Sequence, residues 1–182
     1  PRLPASLQSR NTAFLWNQDK LWDLENYPHH QDWDTWQYYY TYYESLKSMG
    51  ARVTFLQEKD TFDPEMFPFM VAPAYQLTDK ALVDKWEAYV KKGGNLILTC
   101  RTGQKDRHGK LPETLVQQSI SDLIGGEIEF FDHLPAAWPG KVNHNGKSFP
   151  WHIWGDVIKP DSQTSVLAQY ADQFYKGKAA VT

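Results

Sequence analysis

The stretch GGNLILTCRTG, Gly93 to Gly103, decides how the chain is read. Two glycines end whatever precedes them, Asn95–Thr99 has strand character, and the chain's single cysteine then falls on a turn. Upstream, LTDKALVDKWEAYVKK has the spacing of a helix. Thr78 or Asp79 is the N-cap, Leu82, Trp86, Tyr89 and Val90 form an apolar stripe, and lysines fill the last turn before Gly93 stops it. A helix feeding a short apolar strand is half of a βαβ unit. In open α/β sheets, binding sites form outside the carboxyl ends of the strands, which is where Cys100 lies.

Working outward, Asn11–Trp16, Ala51–Leu56 and Phe67–Pro73 read as further buried strands, and Glu127–Phe131 as a fifth. The segment between Trp16 and Asp32 reads as irregular. DWDTWQYYYTYYESLKSMG reads as a helix stopped by Gly50, and LPETLVQQSISDLIGG as a third helix. Alternating strands and helices predict parallel pairing in a doubly wound α/β sandwich. After Phe131 the rhythm changes. Asn145-Gly146 signals a hairpin, and SVLAQY and FYKGKAAVT look like more strands, so the C-terminal part runs out into antiparallel β.

The 182 residues are enough for one domain with a proper core. Phe, Trp and Tyr make up 15%, a surplus that suggests sticky surface as well as core. A net charge of −3 argues against a nucleic-acid partner. One cysteine excludes an internal disulfide and any multi-cysteine zinc site. No apolar run is long enough for a membrane-spanning helix. Pro1–Arg10 reads as a linker, and the final AAVT stops inside a strand-like run, which predicts a piece cut from a longer parent.

Chemistry is harder to place. Cys100 as a nucleophile wants glycine two residues to either side, but its flanks are Leu98 and Thr102. It also needs a base, and the downstream histidines are His108, His133, His144 and His152. A small buried side chain is the plainer reading of Cys100. Glu127 and Glu129 share a strand face, as paired acids or as a solvated edge. Asp19, Asp23 and Glu25 with His29 and His30 lack the ligand spacing of known metal loops, so neither metal nor cofactor is predicted. No phosphate-binding glycine pattern follows the first strand. On the first long helix, Trp36, Tyr39, Tyr40, Tyr43 and Leu46 form a stripe fit to lie on a sheet. Tyr38, Tyr42 and Met49 form a second stripe, either a half-exposed tyrosine row or a contact surface for another domain or subunit.

The segments AFLWNQDKLWDLEN, VAPAYQLTD, YVKKGGNLILTCRTGQKD, LIGGEIEFFDHLP and GKAAVT together resemble the middle domain of glycoside-hydrolase family forty-two β-galactosidases, over Asn11–Thr182. The most specific pieces are Asp23, Glu25 and Asn26, the APA after strand three, and a T-x-x-[ST]-G-x-x-D turn met by Thr99, Thr102, Gly103 and Asp106. The resemblance implies a flavodoxin-like, class I glutamine amidotransferase-like three-layer fold with a mostly parallel sheet and without catalytic machinery. It implies a homotrimer, a catalytic barrel before the domain and a small β domain after it. The barrel's glutamates correspond to no residue here.

Three functions follow. The first is a non-catalytic oligomerisation domain of a retaining β-galactosidase, with Tyr38, Tyr42 and Met49 at or near an interface. The second is a free-standing amidotransferase-like hydrolase built on Cys100. The third is a carbohydrate-binding module using Trp22, Trp138, Trp151 and Trp154. A histidine and a carboxylate within reach of the thiol would favour the second, and a flat exposed aromatic platform the third.

Overall fold

The computed structural model describes residues 11–182, so the linker expected over 1–10 lies outside the described residues. The strand β1 (Asn11–Leu15) is paired on both sides, by β2 (Arg52–Leu56) and by β3 (Phe69–Ala72), and β5 (Asn95–Leu98) joins β3. All of these pairings are parallel, in the order β2-β1-β3-β5. The two central strands are nearly continuous apolar runs, TAFL and FMVA, as burial on both faces demands.

Successive side chains of a strand point to opposite faces. Phe14 and Val71 accordingly meet α1 (Gln18–Asn26) and α2 (Thr35–Ser48) on one face. Ala13, Leu15, Met70 and Ala72 meet α3 (Lys80–Lys91) and α4 (Gln118–Ile124) on the other. Helices thus cover both faces of the parallel sheet.

The segment read as irregular contains α1. Asn17 caps it, its side chain accepting from Lys20 N at 3.1 Å, and Lys20, Leu21 and Leu24 are buried. Two leucines three residues apart are a thin signal beside so many charged and amide neighbours. Asp34 caps α2 and Asp79 caps α3, accepting from Gln37 N and Leu82 N. On α3 the buried stripe is Leu82, Val83, Trp86 and Tyr89, while Val90 is half exposed. On α2 the stripe is rotated from the expected one by about 60°, at ~100° per residue. Tyr39 is its buried centre, Tyr38, Tyr42, Tyr43 and Leu46 pack around it, and Trp36 and Tyr40 turn outward. α4 is shorter than expected, starting at Gln118 and ending at Gly125 in a left-handed conformation with φ 65°.

The strand expected as the fifth of the parallel sheet belongs elsewhere. β7 (Gly126–Asp132) pairs antiparallel with β10 (Gly155–Pro160) in a second sheet. Its sequence, EIEF, alternates polar with apolar, which suits a strand buried on one face only. The remaining strands are β8 (Gly140–His144), β9 (Lys147–Trp151), β11 (Ala168–Tyr170) and β12 (Ala179–Val181), giving the order β7-β10-β12-β11-β8-β9. The β8–β9 hairpin turns at Asn145 (φ 49°) and Gly146 (φ 73°), the paired left-handed residues that a two-residue hairpin needs. A two-stranded parallel pair, β4 (Leu77–Thr78) with β6 (Lys105–Asp106), links the loops above the first sheet.

The two glycines after α3 do different work. Gly93 has φ 93° and open space where a Cβ would stand, whereas a Cβ on Gly94 would meet the Tyr89 ring at 2.3 Å. That ring is buried, and its hydroxyl donates to Phe67 O at 2.7 Å. Gly93→Ala should cost about 1 kcal/mol. Gly94→Ala should cost more, about 2 kcal/mol or above, because the pinned ring cannot withdraw. Urea melts of both variants check this order, and a milder Gly94 variant would contradict it.

Candidate functional site

The loop that leaves β5 is built by its own side chains. Thr99 Oγ1 accepts from Ala74 N and from the Tyr38 hydroxyl, both at 2.7 Å. Thr102 Oγ1 donates to Thr99 O at 2.7 Å and accepts from Tyr75 N at 3.3 Å. Gly103 N donates to Tyr75 O, and Asp106 Oδ1 receives His108 N and Lys110 N. The four residues of the threonine–glycine–aspartate turn therefore stitch the end of β5 to the end of β3 and fold the next turn. Their work is architectural.

At the middle of that turn stands Arg101, fully buried and with φ 68°. Its guanidinium lies in the corner formed by the near-perpendicular rings of Trp33 and Trp154, 4.5 and 4.7 Å from their centroids. It donates to Tyr27 O at 3.0 Å and to Pro28 O at 3.1 Å. Its backbone N donates to Asp156 Oδ2 at 3.1 Å, and Trp154 Nε1 holds the other oxygen at 2.7 Å. Trp154 also stacks on Phe131 at 4.7 Å and touches His133 at 4.2 Å. One side chain thus joins the loop after α1, the end of β5 and the second sheet. Burial pulls the guanidinium down to about 10, against the opposing pull of Cys100, Asp23, Tyr38 and Asp156. Burial likewise lowers His29 and His133, assisted at His29 by Arg101 and at His133 by His30.

Cys100 is half-buried, and its Sγ lies 3.1 Å from the Tyr38 hydroxyl. Burial, with the charge of Asp156, pushes the thiol up to about 12. A thiol beside a phenol, held in its protonated form, lacks the base that a nucleophile needs. Tyr38 and Tyr42 do not form a separate outward stripe as expected. Both turn toward the end of β5, with their hydroxyls 3.3 Å apart, because Thr99 and Cys100 supply polar partners there. Burial raises both phenols, Tyr42 to about 12. Met49, at the end of α2, is 63% exposed.

The remaining candidates separate. Asp23 pairs with Lys105 at 2.9 Å, Asn26 donates to Trp22 O, and Asp19 and Glu25 face solvent. Among the described residues, no group of three His, Cys, Asp or Glu converges as metal ligands. Glu127 pairs with Lys159, and Glu129 with Lys178, along a solvated face. Trp22 and Trp138 are exposed, whereas Trp154 is buried on Arg101 and Trp151 packs on Tyr170, so these four do not make one platform.

A second feature invisible in the sequence is Lys20. It is buried, with Nζ 4.7 and 4.1 Å from the ring centroids of Tyr39 and Tyr75, and it donates to Pro73 O at 3.1 Å. Burial holds the ammonium well below its ordinary value, opposed by the charge of Glu58. Glu58 itself accepts from Asn17, Tyr75 and Arg107. Asn17, Glu58, Tyr75 and Arg107 are thus bound to one another beside Lys20. What the chain leaves open is surface: Trp36, Tyr40 and Phe55 are each more than half exposed, and Trp16 lies 5.8 Å from Trp36 and 6.3 Å from Phe55.

The family model described as the β-galactosidase trimerisation domain matches residues 10–182. The chain belongs to that family. The β-galactosidase BgaH of Haloferax lucentense is 28% identical over 151 residues, covering 83% of this chain and 22% of that protein. The β-galactosidase Bga of Halorubrum lacusprofundi is 26% identical over 93% of this chain and 25% of its own length. The solved structure of a β-galactosidase from Halorubrum lacusprofundi superposes with a TM-score of 0.84 at 26% identity, over 93% of this chain and 25% of that one. A β-galactosidase from Bacillus circulans shares the fold, with a TM-score of 0.84 at 18% identity, over 94% of this chain and 26% of that one. The trimerisation domain here spans about a quarter of the relatives it matches.

Sequence reading missed Arg101, Trp33 and Lys20. The signal for Arg101 was its seat between the two threonines of the turn; Lys20 carries none, since helix lysines are normally solvated.

Two outcomes follow. Arg101→Ala should cost about 3–5 kcal/mol, because it removes the cation that the two indoles meet and leaves two carbonyls unpaired. Arg101→Lys should recover little, since one ammonium cannot meet both indoles and donate to both carbonyls as the forked guanidinium does. Tryptophan fluorescence during urea unfolding reads both, and a fully stable lysine variant would overturn this account. For Lys20, the unfolded state binds the proton more readily than the folded one, so stability rises with pH up to the ordinary lysine value. Lys20→Met should lie within about 1 kcal/mol of the parent at neutral pH. The parent should then gain on it toward pH 9. A flat difference between the two pH–stability curves would refute that.

Proposed function

We propose that this trimerisation domain is the non-catalytic assembly module of a β-galactosidase that hydrolyses terminal β-D-galactosides with retention. The match of one family model to nearly the whole chain carries the reading. In support, the chain spans about a quarter of proteins named β-galactosidase, which leaves room in the parent for a catalytic barrel before it and a small β domain after it. The linker role of residues 1–10 and a C-terminal continuation of the 11–182 domain belong to the same proposal. So does kinship of the three-layer part with flavodoxin-like and class I glutamine amidotransferase-like folds. The sheet order β2-β1-β3-β5, with helices on both faces, supports it.

In this reading the assembly is a homotrimer. Met49, exposed at the end of α2, offers area to a neighbour, while Tyr38 and Tyr42 set the helix from behind by binding the end of β5. Cys100 and its phenol partner belong to that same internal support.

The chain should release no galactose from a nitrophenyl β-galactoside, and it should sediment at three times its own mass. Hydrolysis abolished by Cys100→Ala would overturn the non-catalytic reading. A strictly monomeric chain would overturn the assembly reading.

A further inference from the structure

A closed ring of three copies cannot use one patch twice. Each contact is heterologous and joins two different, complementary surfaces of the same chain. The structure carries one such pair, set out by sign of charge.

The acidic member is a cleft of about 420 Å³ between the end of α1 and the start of α2, whose lining includes Glu25, Asp32, Trp33, Asp34 and Trp36. Between Gln18 and Trp36 every exposed charged side chain is acidic: Asp19, Glu25, Asp32 and Asp34. The lysine of that segment is buried, and Asp23 is paired with Lys105. Trp36 continues the cleft into the exposed aromatic patch with Tyr40 and Phe55. Three large rings, each more than half exposed, present on the order of 300 Å² of apolar area. A stable contact takes about 800 Å² from each partner, so the patch is the right size for the dry centre of one.

The basic member is the β8–β9 hairpin. From His133 to Gly155 there is no carboxylate. Lys141 and Lys147 are exposed and have no ion-pair partner among the described residues. They pair with Pro150 and His144 across the two strands, so the hairpin is positive on both faces. Its tip is the narrow Asn145-Gly146 turn, and β9 ends the sheet, with Phe149 half exposed.

We infer that the β8–β9 hairpin of one copy seats on the acidic, tryptophan-lined cleft of the next, with Lys147 facing Glu25. This rests on the trimer reading above. Charge complementarity of this kind sets register and partner choice, and it weakens as salt rises.

Sedimentation velocity on the chain and its charge-reversed variants tests it. Lys147→Glu and Glu25→Lys should each weaken association about tenfold or more, with an unchanged far-ultraviolet circular dichroism spectrum because both side chains are exposed. The double variant, with the charges exchanged, should regain most of the loss. A chain that is monomeric without substitution overturns the trimer reading itself. A trimer that neither reversal weakens, or that the exchange fails to restore, overturns only this pairing. A trimer weakened by Glu25→Lys and indifferent to Lys147→Glu assigns the cleft to another surface and likewise overturns it.

Discussion

The guanidinium of Arg101, set in the corner of the Trp33 and Trp154 rings, is the contact on which the two-sheet arrangement depends. A planar cation can meet two aromatic rings at once and still donate from its edge. The Arg101 edge donates to carbonyls of the loop after α1, and its backbone holds a carboxylate of the second sheet. A lysine or an apolar residue offers one of these contacts at a time. Burying such a charge is costly unless every group around it is satisfied, which is why Tyr27, Pro28 and Asp156 all turn toward it.

That arrangement also closes the loop at the position where open α/β sheets usually build their sites. The carboxyl ends of β3 and β5 are closed by their own hydrogen bonds: Thr99 to Ala74, Thr102 to Tyr75, Tyr38 to Thr99 and Cys100. A catalytic thiol needs an open cleft and an imidazole. Here the same position is roofed by α2 and faced by a phenol. The tyrosine surplus of α2 is used first to close the sheet and only then, through Tyr40 and its neighbours, to present surface.

How far the sequence told this in advance varies with the element. Where apolar periodicity was strong, as in β1, β3, β5 and α3, type and place were legible, because burial on both faces or along one stripe leaves a direct trace. β7 departs from the expected parallel sheet because its own polar–apolar alternation, the mark of one-sided burial, outweighs the helix–strand alternation around it. α1 was missed because its buried residues include a lysine, a choice that depends on Tyr39, Tyr75 and Pro73, distant in the chain. The α2 stripe was misplaced because aromatic residues occupy almost its whole circumference, so only the partners at the end of β5 choose which side turns in. Arg101 was silent for the same reason: its tryptophans come from segments 68 and 53 residues away. Contacts of that separation leave no local period to read.

The ends of the sheets limit how this chain can meet a neighbour. An unpaired edge strand invites another strand, and proteins guard against that with charge and proline. β2 opens with the exposed Arg52, and β9 carries Lys147 and Pro150. Proline removes a ladder donor and stops a partner strand from extending the sheet in register. Contacts through β9 must then run through side chains and the hairpin tip. Side-chain contacts discriminate by shape and sign, whereas backbone ladders accept almost any strand. A domain that has closed its strand ends with its own hydroxyls and blunted one edge of each sheet has fewer ways to associate. The exposed rings and unpaired charges are the ones that can be specific.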